Sequence, residues 1–252
     1  MEKTIKSRVN ADPVTMAKID IIVPFHGQYQ KLYDLCKSIW YNTKGNQYHL
    51  YLVDDCSLNK TYLPAFQKAP NTTVIQNDQQ LGFGASLHKG FEVGRNEWVV
   101  FLHSDCRIET SDWLSGMLLT YFKNPHTAMV SPRTNNPGTD DLRLKSEKGI
   151  HQSDCVMEKG YLPLYCALCS RQLFSEIGGF VKPYPFRYYE DEELAHRIRA
   201  CGLRQTISGN SWVFHHGAAT VSSLLKQGNK YKGVIEENRE RCIADINAFK
   251  KR

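Results

Sequence analysis

The sequence predicts an α/β fold with a mixed, mainly parallel central sheet flanked by helices, on three observations. Strand-length apolar runs alternate with helical spacings up to about residue 105, the rhythm of a parallel sheet covered by helices. The run Trp-Val-Val-Phe-Leu at 98–102 is apolar throughout, as a strand buried on both faces must be. It stops at His103 and Asp105, and two other strands also end in acids or imidazoles, at Asp54-Asp55 and at His215-His216. Ligands of open α/β sheets gather just beyond the carboxyl ends of the strands, so these groups would share one edge.

Each element has its own justification. Residues 20–25 (Asp-Ile-Ile-Val-Pro-Phe) read as the first buried strand, closed by Pro24 and the turn His26-Gly27. Leu32, Leu35, Cys36, Ile39 and Trp40 then recur on one helical face. Residues 48–53 form a second strand that runs into Asp54-Asp55-Cys56-Ser57, and residues 73–76 a short third. Leu81-Gly82-Phe83-Gly84-Ala85 opens a helix lasting to about Val93, ahead of the fourth strand at 98–102. The two-residue spacing of His103 and Asp105 would place both on one side of an extended chain, within reach of one divalent cation.

Beyond that point the rhythm changes. Residues 113–122 read as a helix, 128–131 as a strand and 134–139 as a Pro/Gly/Asn loop. Residues 140–160 are polar and read as loop or short hairpin. Residues 162–170 read as a strand, 172–177 as a short helix, 192–200 as a helix closed by Gly202, and 206–214 as the last strand. The cluster Glu190-Asp191-Glu192-Glu193 follows the aromatic run Phe186-Arg187-Tyr188-Tyr189. Acids favour helix N-termini for dipole reasons, which accounts for Glu192 and Glu193 better than for Glu190 and Asp191.

Composition bounds the rest. With 252 residues, we read one domain over 19–220 between an N-terminal extension (1–18) and a basic helical tail (221–252). No stretch approaches the roughly 18 consecutive apolar residues of a membrane span, and residues 1–18 lack a signal-peptide core. The expected compartment is therefore the cytoplasm, with the eight cysteines as thiols. Cys166-x-x-Cys169 has no second pair nearby, so buried thiols are expected rather than a zinc site. The net charge of +6 does not by itself indicate a nucleic-acid partner. Much of it sits in eight Lys or Arg between Lys226 and Arg252, which fit a solvated helix, or a patch for anionic lipid or for phosphate backbone.

Six segments in order then carry a resemblance: Ile-Val-Pro-Phe-His, Val-Asp-Asp-Cys-Ser, Gln-Leu-Gly-Phe-Gly-Ala-Ser, Phe-Leu-His-Ser-Asp, Gly-Gly-Phe and Tyr-Glu-Asp-Glu-Glu-Leu-Ala-His-Arg-Ile-Arg. Over about residues 18–220 the chain resembles the family 2 glycosyltransferases with the GT-A fold. The resemblance implies a nucleotide-binding half (19–105) and an acceptor and catalytic half (106–220). It implies that Asp54 or Asp55 holds the base and ribose of a nucleotide sugar, a UDP-sugar by preference, since a carboxylate accepts from an imide N–H and from hydroxyls. Pro24, Phe25, Gly82, Ser104 and Gly179 would line the donor, although Gly178-Gly179 also suits a plain helix C-cap. The family's Asp-x-Asp metal motif is here His103-Ser104-Asp105, with His215 rather than His216 as a third ligand. Imidazole in place of the first acid tilts the cofactor towards Mn²⁺ over Mg²⁺. Asp191 would be the general base of an inverting transfer, with Glu190 orienting it or touching the acceptor.

Lys89 and Arg133 stand as phosphate partners or as solvated surface residues. The acceptor class is an envelope saccharide or lipid-linked sugar, with a hydroxylated base in DNA as the alternative. The basic tail would meet an anionic membrane or DNA peripherally. Two other readings compete: a nucleotidyltransferase, for which His26-Gly27-Gln28 is a poor phosphate loop, and a non-catalytic carbohydrate- or nucleic-acid-binding module.

Overall fold

The computed structural model describes residues 14, 17–180, 189–217 and 230–249. Most of the N-terminal extension, the aromatic run up to Tyr188 and the start and end of the basic tail lie outside the described residues. In chain order the elements are β1 (Lys18–Phe25), α1 (Tyr29–Asn42), β2 (Gln47–Asp54), α2 (Leu63–Gln67), β3 (Thr72–Gln76), α3 (Phe83–Val93) and β4 (Trp98–Leu102). There follow β5 (Cys106–Arg107), α4 (Trp113–Lys123), β6 (Thr127–Arg133), a 3-10 turn (Leu142–Leu144), β7 (Cys155–Met157) and β8 (Cys166–Ser170). The chain continues through α5 (Arg171–Glu176), α6 (Glu190–Ala200), β9 (Arg204–Trp212), β10 (Phe214–His215) and α7 (Lys230–Phe249).

Among the described residues, eight strands form one sheet in the order β3-β2-β1-β4-β8-β6-β9-β7. The first four are parallel to one another, β8 runs against β4 and β6, and β6 is parallel to β9. Hence β1, β2, β4, β6 and β9 deliver their carboxyl ends to one edge. Burial on both faces explains the unbroken apolar runs. Ile19, Ile21 and Val23 of β1 belong to one core cluster with Leu35 of α1 and Met117 of α4, whereas Ile22 belongs to a second cluster with Leu87 of α3. Cys166 and Cys169, three apart on β8, fall into opposite faces of the sheet, so a strand denies them a common metal.

Several sequence expectations need correction. The strand expected over 162–170 is regular only from Cys166, because Pro163 has no N–H and its neighbours give theirs to side chains: Leu162 to Gln205 Oε1 (3.3 Å) and Leu164 to Asp191 Oδ2 (3.3 Å). The strand expected over 206–214 breaks at Val213, whose N–H goes to Arg133 O (2.9 Å); β10 then leaves the large sheet and pairs with β5. The polar segment 140–160 contains β7, which forms the sheet edge against β9. The helix α7 has Asn238 and Cys242 buried and packs on α6, so it is not solvated all round.

At the opposite end of the sheet from the strand termini, fully buried Asp20 accepts from Asn96 N (2.9 Å), Asn96 Nδ2 (2.7 Å) and Arg171 (2.7 Å). Arg171 also caps the carbonyls of Asn96 (2.7 Å) and Phe91 (2.6 Å) and lies 4.4 Å from the Phe91 ring centroid. Removing one partner of a buried ion pair strands the other charge, so Arg171→Ala is expected to cost about 3–5 kcal/mol in urea unfolding. A loss within the range of an ordinary surface substitution would contradict this account.

Candidate active site

The turn after β4 does what alternation along a strand was expected to do. Regular pairing ends at Leu102; His103 gives its N–H to Tyr165 O (2.8 Å), and Cys106 N closes the turn onto His103 O (3.2 Å). Ser104 lies inside that turn. The following ribbon sets Cys106 opposite His215 and Arg107 opposite Phe214. A register one residue away would present His216 instead. The result brings His215 Nε2 to 3.4 Å from Asp105 Oδ1, with His103 Nδ1 at 3.7 Å from the same oxygen. One donor atom from each of His103, Asp105 and His215 lies within 4.8 Å of the others.

The donor chemistry of this triad fits a divalent cation of intermediate softness. His215 Nδ1 is 2.7 Å from Asn136 O, and a carbonyl only accepts, so the neutral ring carries its proton on Nδ1. The lone pair is then on Nε2, which is buried and makes no hydrogen bond. An apolar shell fixes the rings: Tyr165 stacks on His215 (5.1 Å, 16°), while His103 meets Phe83 edge-on at 4.6 Å.

The acids come from α6. The helix begins at Glu190, earlier than the sequence suggested, because Tyr189 takes a left-handed conformation (φ 76°) that turns the chain into it. Its first turn then carries all four acids at the positive end of the helix. Glu193 is held by Arg197 at 2.8 and 2.6 Å, and Arg197 also donates to Ile177 O and Gly179 O, both at 2.8 Å. Gly179 (φ 54°) thus sits in the turn that ends α5, with its N–H on Phe174 O (2.8 Å). Glu190 is buried, and Asp191 accepts from Leu164 N–H. Cys242 of α7 backs this start, its Sγ 3.9 Å from Tyr189 O.

A cavity of about 450 Å³ joins the two groups: the triad lines it together with Glu190, Asp191 and Glu192. Tyr161 and Tyr189 add aromatic wall. Burial, reinforced by the charges of Asp191 and Glu192, raises the Tyr161 hydroxyl above its ordinary range, so it remains a neutral donor.

The other expected donor residues do not line this cavity: Pro24, Phe25, Asp54 and Asp55 lie at the ends of β1 and β2, Gly82 before α3, Ser104 in the turn after β4 and Gly179 after α5. Asp54 accepts from Ser57 N (2.8 Å), from Lys60 and from the Tyr62 hydroxyl. Burial alone would raise its carboxyl, but these hydrogen bonds outweigh burial and hold it below the ordinary value. Asp55 accepts from Leu81 N (2.7 Å), Gly82 N (2.9 Å) and Asn77 Nδ2 (3.0 Å). It thereby anchors the loop that opens α3 and sets Phe83 against His103, a turn that Gly82 makes at φ 93°. Phe25 packs edge-on against Tyr62 at 5.3 Å, and Pro24 precedes it in β1 opposite Val53. Lys89 donates to Gln76 O (3.0 Å). Arg133 is buried rather than solvated and donates to the carbonyls of Arg143 and Ser153. Asn135 and Asn136, which hold His215, carried no sequence signal beyond their place in a turn-rich loop.

A mixed sheet with imidazole, carboxylate and an acidic helix start at its carboxyl edge defines a GT-A fold. The chain belongs to Glycosyl transferase family 2, whose model matches residues 20–183. That match spans His103 and Asp105 but ends before Glu190, Asp191 and His215. Among solved structures, the chain is similar to GalNAc-T7 with UDP, GalNAc and Mn²⁺ (17% identity, TM-score 0.60, covering 79% of this chain and 43% of that one). It is similar also to the mannosyltransferase PcManGT of Pyrobaculum calidifontis in complex with GDP-Man and Mn²⁺ (17% identity, TM-score 0.61, 81% and 58%). An uncharacterized protein, y4gI, of Sinorhizobium fredii (strain NBRC 101917 / NGR234) is 20% identical over 224 residues, 80% of this chain and 25% of its own length. The chain therefore spans about half the length of these solved structures and a quarter of the curated relative. No helix among the described residues is long and apolar enough to cross a membrane.

Proposed function

We propose that this chain moves a sugar from a nucleotide sugar to an acceptor hydroxyl with inversion, Asp191 acting as general base. The observation that carries the reading is the shared cavity, which has the triad and Asp191 in its walls. Asp105, His103 and His215 would hold Mn²⁺ or, less suited to the imidazoles, Mg²⁺. Such a cation, when bound, offsets the charge that develops on a leaving diphosphate. Asp191 takes the acceptor proton, and Glu190, buried beside it, orients the acceptor. With Asp191 as base, single displacement requires no covalent nucleophile.

The acceptor we assign to the saccharide or lipid-linked class. Glu190, Asp191 and Glu192 with Tyr161 and Tyr189 offer hydroxyl acceptors and ring faces, whereas a DNA backbone would bring phosphates against three carboxylates. Asp54 or Asp55 remains the proposed partner of the base and ribose, with Pro24, Phe25, Gly82, Ser104 and Gly179 along the donor. The two solved neighbours carry different nucleotides, UDP in one and GDP-Man in the other, and Mn²⁺ in both. We take UDP first. Domain limits of 19–220, a cytoplasmic site of action and peripheral contact of the tail with an anionic surface complete the reading.

Thermal-shift titration with UDP, GDP, CDP and dTDP, each with and without Mn²⁺, tests it. Mn²⁺-dependent stabilisation by one diphosphate is expected, about 2.7 kcal/mol when ligand is at 100 times its Kd. No response to any of the four would favour a non-catalytic carbohydrate- or nucleic-acid-binding module, or an unusual donor.

A further inference from the structure

We infer that Asn135 and Asn136, with Gly217 behind them, form a clamp that sets the position and tautomer of His215, making both asparagines positioning residues for the cation site. The inference rests on the reading of His215 as a ligand. The need for a clamp follows from the fold. β10 is only two residues long and is held to β5 by two residue pairs, a short ribbon for an atom that must be placed to a fraction of an ångström.

The loop from Thr134 supplies what the ribbon lacks. Asn135 Oδ1 accepts from His215 N (2.8 Å) and Asn135 Nδ2 donates to His215 O (3.1 Å), so one amide brackets both backbone groups of His215 as a neighbouring strand would. Asn136 O takes the proton of His215 Nδ1 at 2.7 Å, and Asn136 Nδ2 donates to His216 O at 3.3 Å. Asn136 is itself braced, its Oδ1 accepting from Gly138 N (3.2 Å) and its N–H given to Thr134 Oγ1 (3.3 Å). Gly217 completes the arrangement twice over. It has φ +69°, and a Cβ there would lie 2.2 Å from Asn136 Nδ2. The first half of the loop is therefore committed to His215, and Pro137, Gly138 and Thr139 are left to face the cavity.

Two measurements decide the matter with Mn²⁺ alone as the probe. Long-range ¹H–¹⁵N correlation on the native chain, at a pH where the ring is neutral, is expected to show the His215 proton on Nδ1; a proton on Nε2 would overturn the clamp. Mn²⁺ titration followed by the EPR signal of the free ion is expected to show affinity about 10–100-fold weaker in Asn135→Leu and in Gly217→Ala. Native affinity in both variants would overturn the proposal even if Asp105→Ala abolishes binding. If Asp105→Ala leaves Mn²⁺ affinity intact, the site reading itself fails. Should either variant not fold, the tautomer measured on the native chain still decides.

Discussion

Asp191→Asn is expected to lower turnover by about 10²- to 10⁴-fold while leaving nucleotide-sugar affinity close to native. The substitution keeps the shape of the side chain and an oxygen that can accept from Leu164 N–H, so the bend at 162–165 and the start of α6 should survive. What it removes is the basicity that draws a proton from an attacking hydroxyl. Steady-state transfer measured beside direct donor titration separates the two effects. Loss of donor binding in proportion to loss of turnover would show that Asp191 serves binding, and the base would have to be sought elsewhere. Glu190→Gln provides the comparison, since an orienting or acceptor-contacting carboxylate should move KM for the acceptor more than it moves kcat.

Asp105→Ala is expected to abolish the Mn²⁺ enhancement of diphosphate binding. Asp105 is the one anionic member of the triad, between two imidazoles at 3.7 and 3.4 Å, and two neutral nitrogens alone hold such a cation weakly. Its backbone carbonyl, which takes His216 N–H at 3.0 Å, is untouched by the change, so the β5 and β10 ribbon should persist. Nucleotide binding without metal should therefore remain and lose its response to Mn²⁺. An unchanged metal response would move the site away from these three residues.

The expected strands at 20–25, 48–53, 73–76 and 98–102 all lie within observed ones, and Trp98–Leu102 matches end to end. Local periodicity reports burial directly, and strands covered on both faces leave continuous apolar runs. The segment 162–170 shows where that logic fails. Its apolar character is real, with Leu162 and Leu164 buried, but its ladder is replaced by hydrogen bonds to Gln205 and Asp191, partners remote in sequence. Asp20 looked like an ordinary first strand residue and is an ion-pair anchor to Arg171, 151 positions away. The two-residue strands β5 and β10 have no periodicity to detect.

By itself, then, the sequence determined the alternation of elements, the run of Trp98–Leu102, and the residue types waiting at three strand ends. Those properties are local: they follow from which side chains are apolar and how far apart they fall. Tertiary structure decided that the ring of His215 and not that of His216 meets the Asp105 carboxylate, that α6 starts at Glu190, and that Asp191 shares a cavity with the triad. Each of these depends on a register or a turn, Cys106 against His215 or Tyr189 at positive φ, where a shift of one residue would present a different side chain. Such a register is set by contacts between segments more than a hundred residues apart, and no short stretch of the chain contains both halves of the interaction.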